Sequence, residues 1–303
     1  AEHEAEQGKK ILLMCYNILL GEKLKLLLSD YSDINVLTFE DFLNELEISY
    51  DDYVDENLET KLRDLDKSEE INYIKSKLDS LIVEADSHFE FDTLIIDEAQ
   101  DISEKYWEFF TEIVEAKQAK WVVCYDKNQT IVNTEWSPPQ YLDTPQLILN
   151  TVIRSTKEIA QQYSKVYNDD LEHYGESGLN PSISILETGS WDEANQKLNT
   201  ILKKIKDENE ELFSTTTVLV PHSKDIVNLK SKLLEKCSVE SISRFKGLES
   251  DTVIVVFPSL EGVEKNYINS NLALVYVGLS RAKSSLFLIC DREVQKLCNW
   301  KIA

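Results

Sequence analysis

Short apolar runs alternate along the sequence with longer segments of helical periodicity, and this alternation leaves few possible folds. Runs such as Ile11–Cys15 and Thr93–Asp97 are each followed by stretches in which apolar residues recur every three or four positions. Strands that alternate with helices in this way form parallel sheets covered by helices on both faces, so we predict an α/β protein. The other predicted strands are Val36–Thr38, Trp121–Tyr125, Ser182–Leu186, Thr216–Val220, Thr252–Phe257 and Ser285–Cys290.

A cluster of three prolines within residues 133–146 divides the predicted strands into two sets. Proline cannot continue a helix or a central strand, so such a cluster marks a boundary between folded regions. The 303 residues also suit two domains of ordinary size. We therefore predict two doubly wound lobes over residues 1–145 and 146–303, with a charged insertion at 49–90 in the first lobe.

The acidic character of the chain is uneven. With 55 acidic and 32 basic residues, the formal net charge is −23, of which −21 falls within residues 1–150 and −2 within 151–303. A field of this sign repels nucleic acid, so any nucleic-acid binding must come from local sites. The most acidic segment, residues 40–70, is either a solvated face or a docking surface for a basic protein partner.

Composition excludes several other classes of protein. No apolar run approaches the roughly 20 residues of a membrane helix, and the N-terminal residues carry no signal-peptide pattern. The five cysteines are scattered, odd in number and mostly within apolar runs, which is typical of reduced core thiols. We therefore predict a cytoplasmic protein with no membrane partner.

The sharpest chemical signal is the pair Asp97–Glu98, which ends a strongly apolar strand. Parallel sheets bind ligands at the carboxyl ends of their strands. In nucleoside triphosphatases an aspartate at this position holds Mg²⁺, and a neighbouring acid can activate the attacking water. The alternative is an acidic first turn of a helix, which the helix dipole alone favours. The residues by themselves leave both interpretations open.

The longer string Asp97–Asp101 resembles motif II of the superfamily 1 DNA helicases of the UvrD/Rep type. The family's other motifs follow the same order along the chain, and seven matches in order make the resemblance strong. They are Met14–Asn17 (motif Ia), Val36–Phe39 (Ib), Tyr125–Gln129 (III), Leu149–Ile159 (IV), Ser241–Glu249 (V) and Tyr276–Lys283 (VI).

This resemblance implies two RecA-like lobes of a P-loop NTPase-like helicase core that uses ATP and Mg²⁺ to move on single-stranded DNA. It assigns Mg²⁺ binding to Asp97, activation of water to Glu98 and sensing of the γ-phosphate to Gln129. It makes Arg154 and Arg281 the arginines that stabilise the transferred phosphoryl group. Surface ion pairing is the alternative role for both arginines.

The resemblance also implies further contacts with ATP and with DNA. The implied ATP contacts are Asp126, Gly247 and Glu249. The implied DNA contacts are Tyr16, Asn17, Thr38, Phe39, Trp136, Arg244 and Lys246. Phe245 is a further candidate for base stacking, and Lys127 and Lys283 could add positive charge. For each aromatic residue, a place in the core is about as probable as stacking on a base.

The chain departs from the family pattern at the phosphate-binding loop. It contains no G-x-x-x-x-G-K-[ST] motif, because its Gly8–Lys9 pair is followed by Lys10 rather than Ser or Thr. We expect this loop to lie upstream in a longer protein, and a protein that has lost the loop is the alternative. Ile153 also replaces the tyrosine that stacks on adenine in the family. This chain alone should therefore hydrolyse ATP weakly or not at all.

The prediction is the core fragment of an ATP-dependent DNA helicase or translocase. One alternative is a non-hydrolysing scaffold or binding module that kept the fold. Another is the helicase half of a nuclease or defence protein. A phosphate-binding loop shortly upstream would favour the motor, and its absence would favour the scaffold.

Overall fold

The computed structural model of the chain divides into two compact units. The first unit holds the described residues up to Asp126, and the second holds those from Lys127 onward. The described residues are 1–45, 89–102, 105–131, 147–149, 151–167, 172–173, 183–257 and 265–297. Trp136, the predicted boundary at 145/146 and almost all of the predicted insertion at 49–90 lie outside them.

The first unit is built on a parallel sheet. Its strands are β1 (Ile11–Cys15), β2 (Ile34–Thr38), β3 (Thr93–Asp97) and β4 (Lys120–Val123). They are ordered β2-β1-β3-β4, and each neighbouring pair is parallel. The register sets Cys15 opposite both Thr38 and Asp97, so these three residues end their strands in one row at the carboxyl edge.

The first unit has four described helices, and side chains cap the N-termini of two of them. The helices are α1 (Glu2–Ala5), α2 (Ile18–Leu27), α3 (Phe39–Glu45) and α4 (Lys105–Ala116). The Asn17 side chain accepts the N–H of Leu20 at 3.1 Å and so caps α2. Thr38 and Asp41 form a reciprocal capping box at the start of α3, with bonds of 3.0 and 3.1 Å.

Both faces of this sheet are covered. Leu12 and Met14 of β1 point into a large cluster with residues of α3 and α4. Ile11 and Leu13 point to the opposite face, where they pack with Leu28 just after α2. Successive side chains of a strand alternate between faces, so a strand that is apolar throughout needs a core on each side. The first unit is therefore doubly wound.

The second unit contains a five-stranded parallel sheet and a separate pair of very short strands. In chain order the strands are β5 (Thr151–Val152), β6 (Glu172–His173), β7 (Ile183–Glu187), β8 (Thr216–Val220), β9 (Ser238–Ser241), β10 (Ser250–Phe257) and β11 (Ala282–Cys290). The main sheet has the order β7-β11-β10-β8-β9, and β5 pairs with β6.

Helices cover both faces of the second sheet as well. They are α5 (Lys157–Tyr167), α6 (Trp191–Glu208), α7 (Glu210–Ser214), α8 (Ser223–Lys230), α9 (Lys265–Leu279) and α10 (Arg292–Leu297). Val253 and Val255 of β10 join a cluster with residues of α5 and α9, whereas Ile254 and Val256 join one with α6. The central strand is thus buried on both sides.

The predicted fold class, an α/β protein with two doubly wound parallel sheets, is confirmed, and it is consistent with the RecA-like lobes implied by the resemblance. The strand β9 is absent from the sequence prediction, because it has only one fully apolar residue, Val239. The described turn at Lys127–Gln129 belongs to the second unit, although the prediction placed it in the first. Among the described helices, none is long and apolar enough to cross a membrane.

Candidate functional site

The carboxyl edge of the first sheet carries the two predicted catalytic acids. Asp97 is the last residue of β3, and its Oδ1 accepts the backbone N–H of Glu98 at 3.0 Å. This bond holds one oxygen of the Asp97 carboxylate against the main chain at Glu98. The strand and its two terminal carboxylates therefore occupy the position at which parallel sheets bind ligands.

Glu98 has an unusual backbone conformation, with φ at 53° and ψ at 41°. Such left-handed geometry costs a non-glycine residue of order 1–3 kcal/mol, so the surrounding structure must hold it. A short 3₁₀ turn, Ala99–Asp101, follows directly. The N–H of Ala99 donates to the carbonyl of Cys124 at 3.0 Å, and that of Cys124 donates to Ile96 at 2.8 Å. The two chain segments thus clamp Glu98 in place.

Gln100, which no sequence pattern predicted as a functional residue, contacts the site. Its side chain is fully buried, its Nε2 donates to Glu98 Oε2 at 2.6 Å, and its Oε1 accepts the N–H of Asp126 at 3.1 Å. The predicted residues Glu98 and Asp126 are therefore joined through one amide. No local sequence pattern predicts these two contacts of Gln100, because the contact with Asp126 depends on the pairing of β3 with β4.

Two thiols lie beside the acids, and the negative charge at this edge contributes to their raised pKa values. Burial raises the pKa of Cys15 to about 12, and the Asp97 carboxylate contributes to the rise. Burial also raises the pKa of Cys124, with added contributions from Asp97 and Glu98. Both thiols therefore remain protonated at neutral pH. A cation at this edge would be attracted by the same carboxylates.

The residues fit a Mg²⁺ ion that arrives with a phosphate ligand. Mg²⁺ is held in such sites by one or two carboxylates, with water and phosphate oxygens as the remaining ligands. Asp97 supplies one such carboxylate at the carboxyl edge. Among the described residues no cluster of three His, Cys, Asp or Glu side chains is placed to hold a metal ion. A dedicated cage of protein ligands is therefore not part of this edge as described.

A cavity of about 460 Å³ opens beside Asp97 within the first unit. Cys124 and the N-terminal residues 1–3 line it together with apolar side chains of the sheet and of α2. Its apolar lining residues are Leu13, Leu24, Leu28 and Ile95. Asp97 is thus one of the residues that border this open space.

Four predicted DNA contacts of the first unit, Tyr16, Asn17, Thr38 and Phe39, lie at the same edge, where two of them cap helices. Asn17 and Thr38 cap α2 and α3, as described above. Phe39 is fully buried and packs against Tyr16, with ring centroids 6.1 Å apart, and against Tyr106 at 5.0 Å. Phe39 is therefore a core residue, whereas Tyr16 is only partly buried.

In the second unit, two buried cations converge on Gln129. The Arg281 side chain is 3% exposed and donates to Gln129 Oε1 at 3.1 Å. Lys246 is 2% exposed, and its Nζ donates to the main-chain carbonyl of Gln129 at 2.7 Å. Lys246 therefore holds the turn at Lys127–Gln129, and its predicted contact with DNA stays a prediction. Phe245 beside it is also buried in the core of this unit.

Arg281 makes further hydrogen bonds that fix its guanidinium. Its Nε donates to Val277 O at 3.0 Å, its Nη1 to Leu248 O at 3.3 Å, and its Nη2 also donates to Ser280 Oγ at 2.8 Å. An arginine with five N–H donors can satisfy such a set of acceptors, which a lysine cannot. In this structure the Arg281 side chain is thus buried and hydrogen-bonded to four groups of the second unit. Its predicted role at the γ-phosphate stays a prediction.

Arg154 and Glu249, also predicted to contact the nucleotide, lie close together. Arg154 is 67% exposed, and its Nη1 is 3.8 Å from Glu249 Oε2. Lys283 Nζ lies 3.1 Å from the other oxygen of Glu249. The segment that carries Arg154 is anchored to β11, because Ser155 Oγ donates to Ala282 O at 2.8 Å.

These groups lie at the amino edge of the second sheet. Glu249 immediately precedes β10, and Arg281 immediately precedes β11. Gly247 enters this edge with a φ of 78°, a conformation that glycine adopts without strain. Arg244 remains 59% exposed, with its Nε 3.8 Å from Glu240. The side chains of Arg154 and Arg244 therefore face solvent, and that of Lys283 is 39% exposed.

Comparison with known proteins gives similarity only to solved structures. No protein-family model matches the chain, and no curated protein matches it. The solved structures include the PRRSV helicase, 15% identical over 69% of this chain with a TM-score of 0.41. They also include the C-terminal domain of a possible DNA helicase from Lactobacillus plantarum WCFS1, 19% identical over 46% of this chain with a TM-score of 0.34.

The matched lengths differ between these two structures. The chain spans 37% of the PRRSV helicase chain and 87% of the bacterial domain. The assignment of the fold rests on the strand order and the double winding of the two sheets themselves.

Proposed function

We propose that the chain is the core of an ATP-dependent helicase or translocase of superfamily 1, of the UvrD/Rep type, that acts on single-stranded DNA. The observation that carries the proposal is the pair Asp97–Glu98 at the carboxyl edge of the first sheet. Glu98 is held there in a left-handed conformation, and its carboxylate accepts a hydrogen bond from buried Gln100. Backbone strain of this kind is concentrated at functional sites.

In the proposed reaction, the oxygen of a water molecule forms a bond to the γ-phosphorus of ATP while the bond from that phosphorus to the β–γ bridging oxygen breaks, which releases ADP and phosphate. Asp97 would hold Mg²⁺, which when bound neutralises the charge of the phosphate oxygens. The Glu98 carboxylate would accept the proton of the attacking water. Exposed Arg154 is suited to reach a phosphate without first breaking buried contacts. Arg281 would have to exchange its hydrogen bond to Gln129 for one to the phosphate.

A second candidate function is a non-hydrolysing binding module. One observation favours it: every nitrogen of the Arg281 guanidinium donates a hydrogen bond within the second unit. Such a module would keep the two sheets and the DNA-facing residues without turnover of ATP.

The test of the motor is DNA-stimulated ATP turnover by the chain extended at its N-terminus with a phosphate-binding loop. Glu98→Gln should abolish turnover and spare ATP binding, because the amide keeps the size of the side chain but cannot accept the proton. The matched control is Glu112→Gln on the exposed side of α4, which should turn over ATP like the parent. Unchanged turnover in Glu98→Gln would remove Glu98 from the role of base.

The chain as it stands should bind ATP weakly. It lacks the amide cradle and lysine of a phosphate-binding loop, and Ile153, where the family has its stacking tyrosine, is an exposed aliphatic residue. Titration calorimetry with ATP and Mg²⁺ measures this. A micromolar dissociation constant would show that the nucleotide site lies elsewhere.

A further inference from the structure

Gln100 is a buried polar residue for which the proposed reaction, as described above, has no task. Its side chain is fully excluded from solvent, yet both ends of its amide find partners on other segments of the site. Burial of an amide is unfavourable unless its hydrogen bonds are satisfied. A leucine or methionine would fill the same space without that requirement, so packing alone does not account for the residue.

The orientation of the Gln100 amide follows from its partners. Glu98 offers a carboxylate oxygen, which accepts hydrogen bonds, and Asp126 offers a backbone N–H, which donates one. If the amide were turned over, its oxygen would face the carboxylate and its NH₂ group would face the N–H. Both contacts would then be repulsive, so only the orientation with Nε2 toward Glu98 satisfies both neighbours.

The bond from Gln100 to Glu98 is short, at 2.6 Å, as expected when the acceptor carries a negative charge. It acts on a residue whose backbone is already held at a φ of 53°. A strained backbone fixes where the side chain leaves the main chain, and the amide then fixes where the carboxylate ends. Together they set the direction of the Glu98 oxygens.

The second bond extends this constraint to β4. The N–H of Asp126 follows the end of β4 by three residues, and it reaches the Gln100 oxygen at 3.1 Å. The neighbouring main-chain bonds between Ala99 and Cys124 and between Cys124 and Ile96 keep β3 and β4 in register at this point. A displacement of Asp126 would therefore move the amide, and with it the Glu98 carboxylate.

We propose that Gln100 is a positioning residue that sets the Glu98 carboxylate and links it to the main chain at Asp126. The inference rests on the proposed function for its catalytic meaning, because Glu98 is the proposed base. The link itself is a property of the first unit and can be measured without nucleotide. A ligand that shifts Asp126 would reorient the base through this amide.

The first experiment is NMR of this chain with ¹⁵N-labelled glutamine, in which Gln100→Met identifies the Gln100 side-chain signals. These amide protons should exchange with water at least about 10-fold more slowly than those of exposed Gln196. Glu98→Ala should shift them and speed their exchange, which a packing role alone would not cause. Exchange as fast as that of Gln196, or no response to Glu98→Ala, would overturn the link.

The second experiment separates positioning from binding in the chain extended with a phosphate-binding loop. Gln100→Met removes both bonds, whereas Gln100→Glu keeps an acceptor for Asp126 and sets a second carboxylate against Glu98. Both should lower kcat by about 10- to 100-fold with little change in the KM for ATP, because a misplacement of about 1 Å has effects of this size. Gln196→Met is the matched control.

The two experiments distinguish the possible failures. Unchanged kcat in both Gln100 variants would overturn the positioning role. If the extended parent protein hydrolyses no ATP, the proposed function fails, and the exchange measurement alone then decides whether the link from Glu98 to Asp126 exists.

Discussion

Arg281 is the residue whose surroundings depart most from the role that its motif implies. Its guanidinium is buried and donates to two main-chain carbonyls, to Ser280 and to Gln129. The partners Gln129 and Leu248 lie 152 and 33 residues away in sequence. No local pattern could predict their convergence. The sequence motif therefore predicted Arg281 as a site residue, whereas the burial of its side chain could not be predicted from the sequence.

The first prediction concerns the stability of the second unit. Arg281→Lys should lower the free energy of unfolding by about 2–4 kcal/mol, because one ammonium group cannot reach all four acceptors and leaves buried groups unpaired. Urea unfolding of the chain without nucleotide measures the change. Arg154→Lys, at an exposed position, should stay within about 0.5 kcal/mol of the parent. Equal stability of both variants would contradict the structural role of Arg281.

At the scale of elements, the start of α3 is held against α2. Thr38 caps α3 through its hydroxyl, which fixes its rotamer and points its methyl group at Gly21 in α2. A Cβ atom built at Gly21 would lie 2.5 Å from that methyl carbon. Glycine at position 21 therefore reflects a close approach of α2 to β2. Helix periodicity alone predicted α2 correctly without revealing this approach.

Helix propensity and core packing predict opposite effects of Gly21→Ala on stability. Helix propensity alone favours alanine by about 1 kcal/mol. The contact with Thr38 instead predicts a loss of about 1–3 kcal/mol, because overpacking strains the surrounding core. Thermal and urea unfolding decide between them. In a Thr38→Ser background, which keeps the hydroxyl and removes the methyl, the same substitution should be neutral or stabilising. A gain in the parent background would refute the close contact.

The capping box of α3 also predicts a pH dependence. Burial raises the pKa of Asp41, but hydrogen bonds from Lys25 and Thr38 outweigh it and hold the pKa below its ordinary value. A carboxyl with a lowered folded pKa stabilises the fold above the unfolded value of about 4, and this contribution disappears as pH falls through the folded pKa. Asp41→Asn should therefore lose less stability than the parent between about pH 5 and 2.

Urea midpoints of the parent and of Asp41→Asn across this range provide the measurement. Glu22→Gln, at an exposed position of α2, is the control and should follow the parent. Parallel curves for all three proteins would contradict the stabilising role of the Asp41 carboxylate.

At the scale of the whole molecule, the sequence predicted the two parallel sheets well for a physical reason. Strands buried on both faces, such as Ile11–Cys15, are continuous apolar runs, and these can be recognised in the sequence without knowledge of the neighbouring strands. The strand β9 is short and partly polar, so no apolar run marks it in the sequence. The turn at Gln129 is placed in the second unit by Lys246 and Arg281, which lie 117 and 152 residues away. Such contacts depend on the complete fold.

The charge distribution of the molecule limits how many DNA phosphates it can neutralise. The net charge of −23 is concentrated in residues 1–150, whereas residues 151–303 carry −2. Exposed Arg154 and Arg244 therefore lie in a nearly neutral half of the chain. Only a few phosphates could be neutralised there, so the salt dependence of binding should be shallow. Stacking on partly buried Tyr16 would add an affinity that salt does not affect.

Fluorescence anisotropy of a labelled single-stranded oligonucleotide over a salt series would show whether the protein acts on single-stranded DNA. We predict binding at low salt. Arg244→Ala should reduce the slope of log affinity against log salt by about 0.7, the value for one phosphate of a single strand. Tyr16→Ala should weaken binding with an unchanged slope, and exposed Lys203→Ala should change neither. No detectable binding at low salt, with or without a nonhydrolysable ATP analogue, would contradict a translocase that acts on single-stranded DNA.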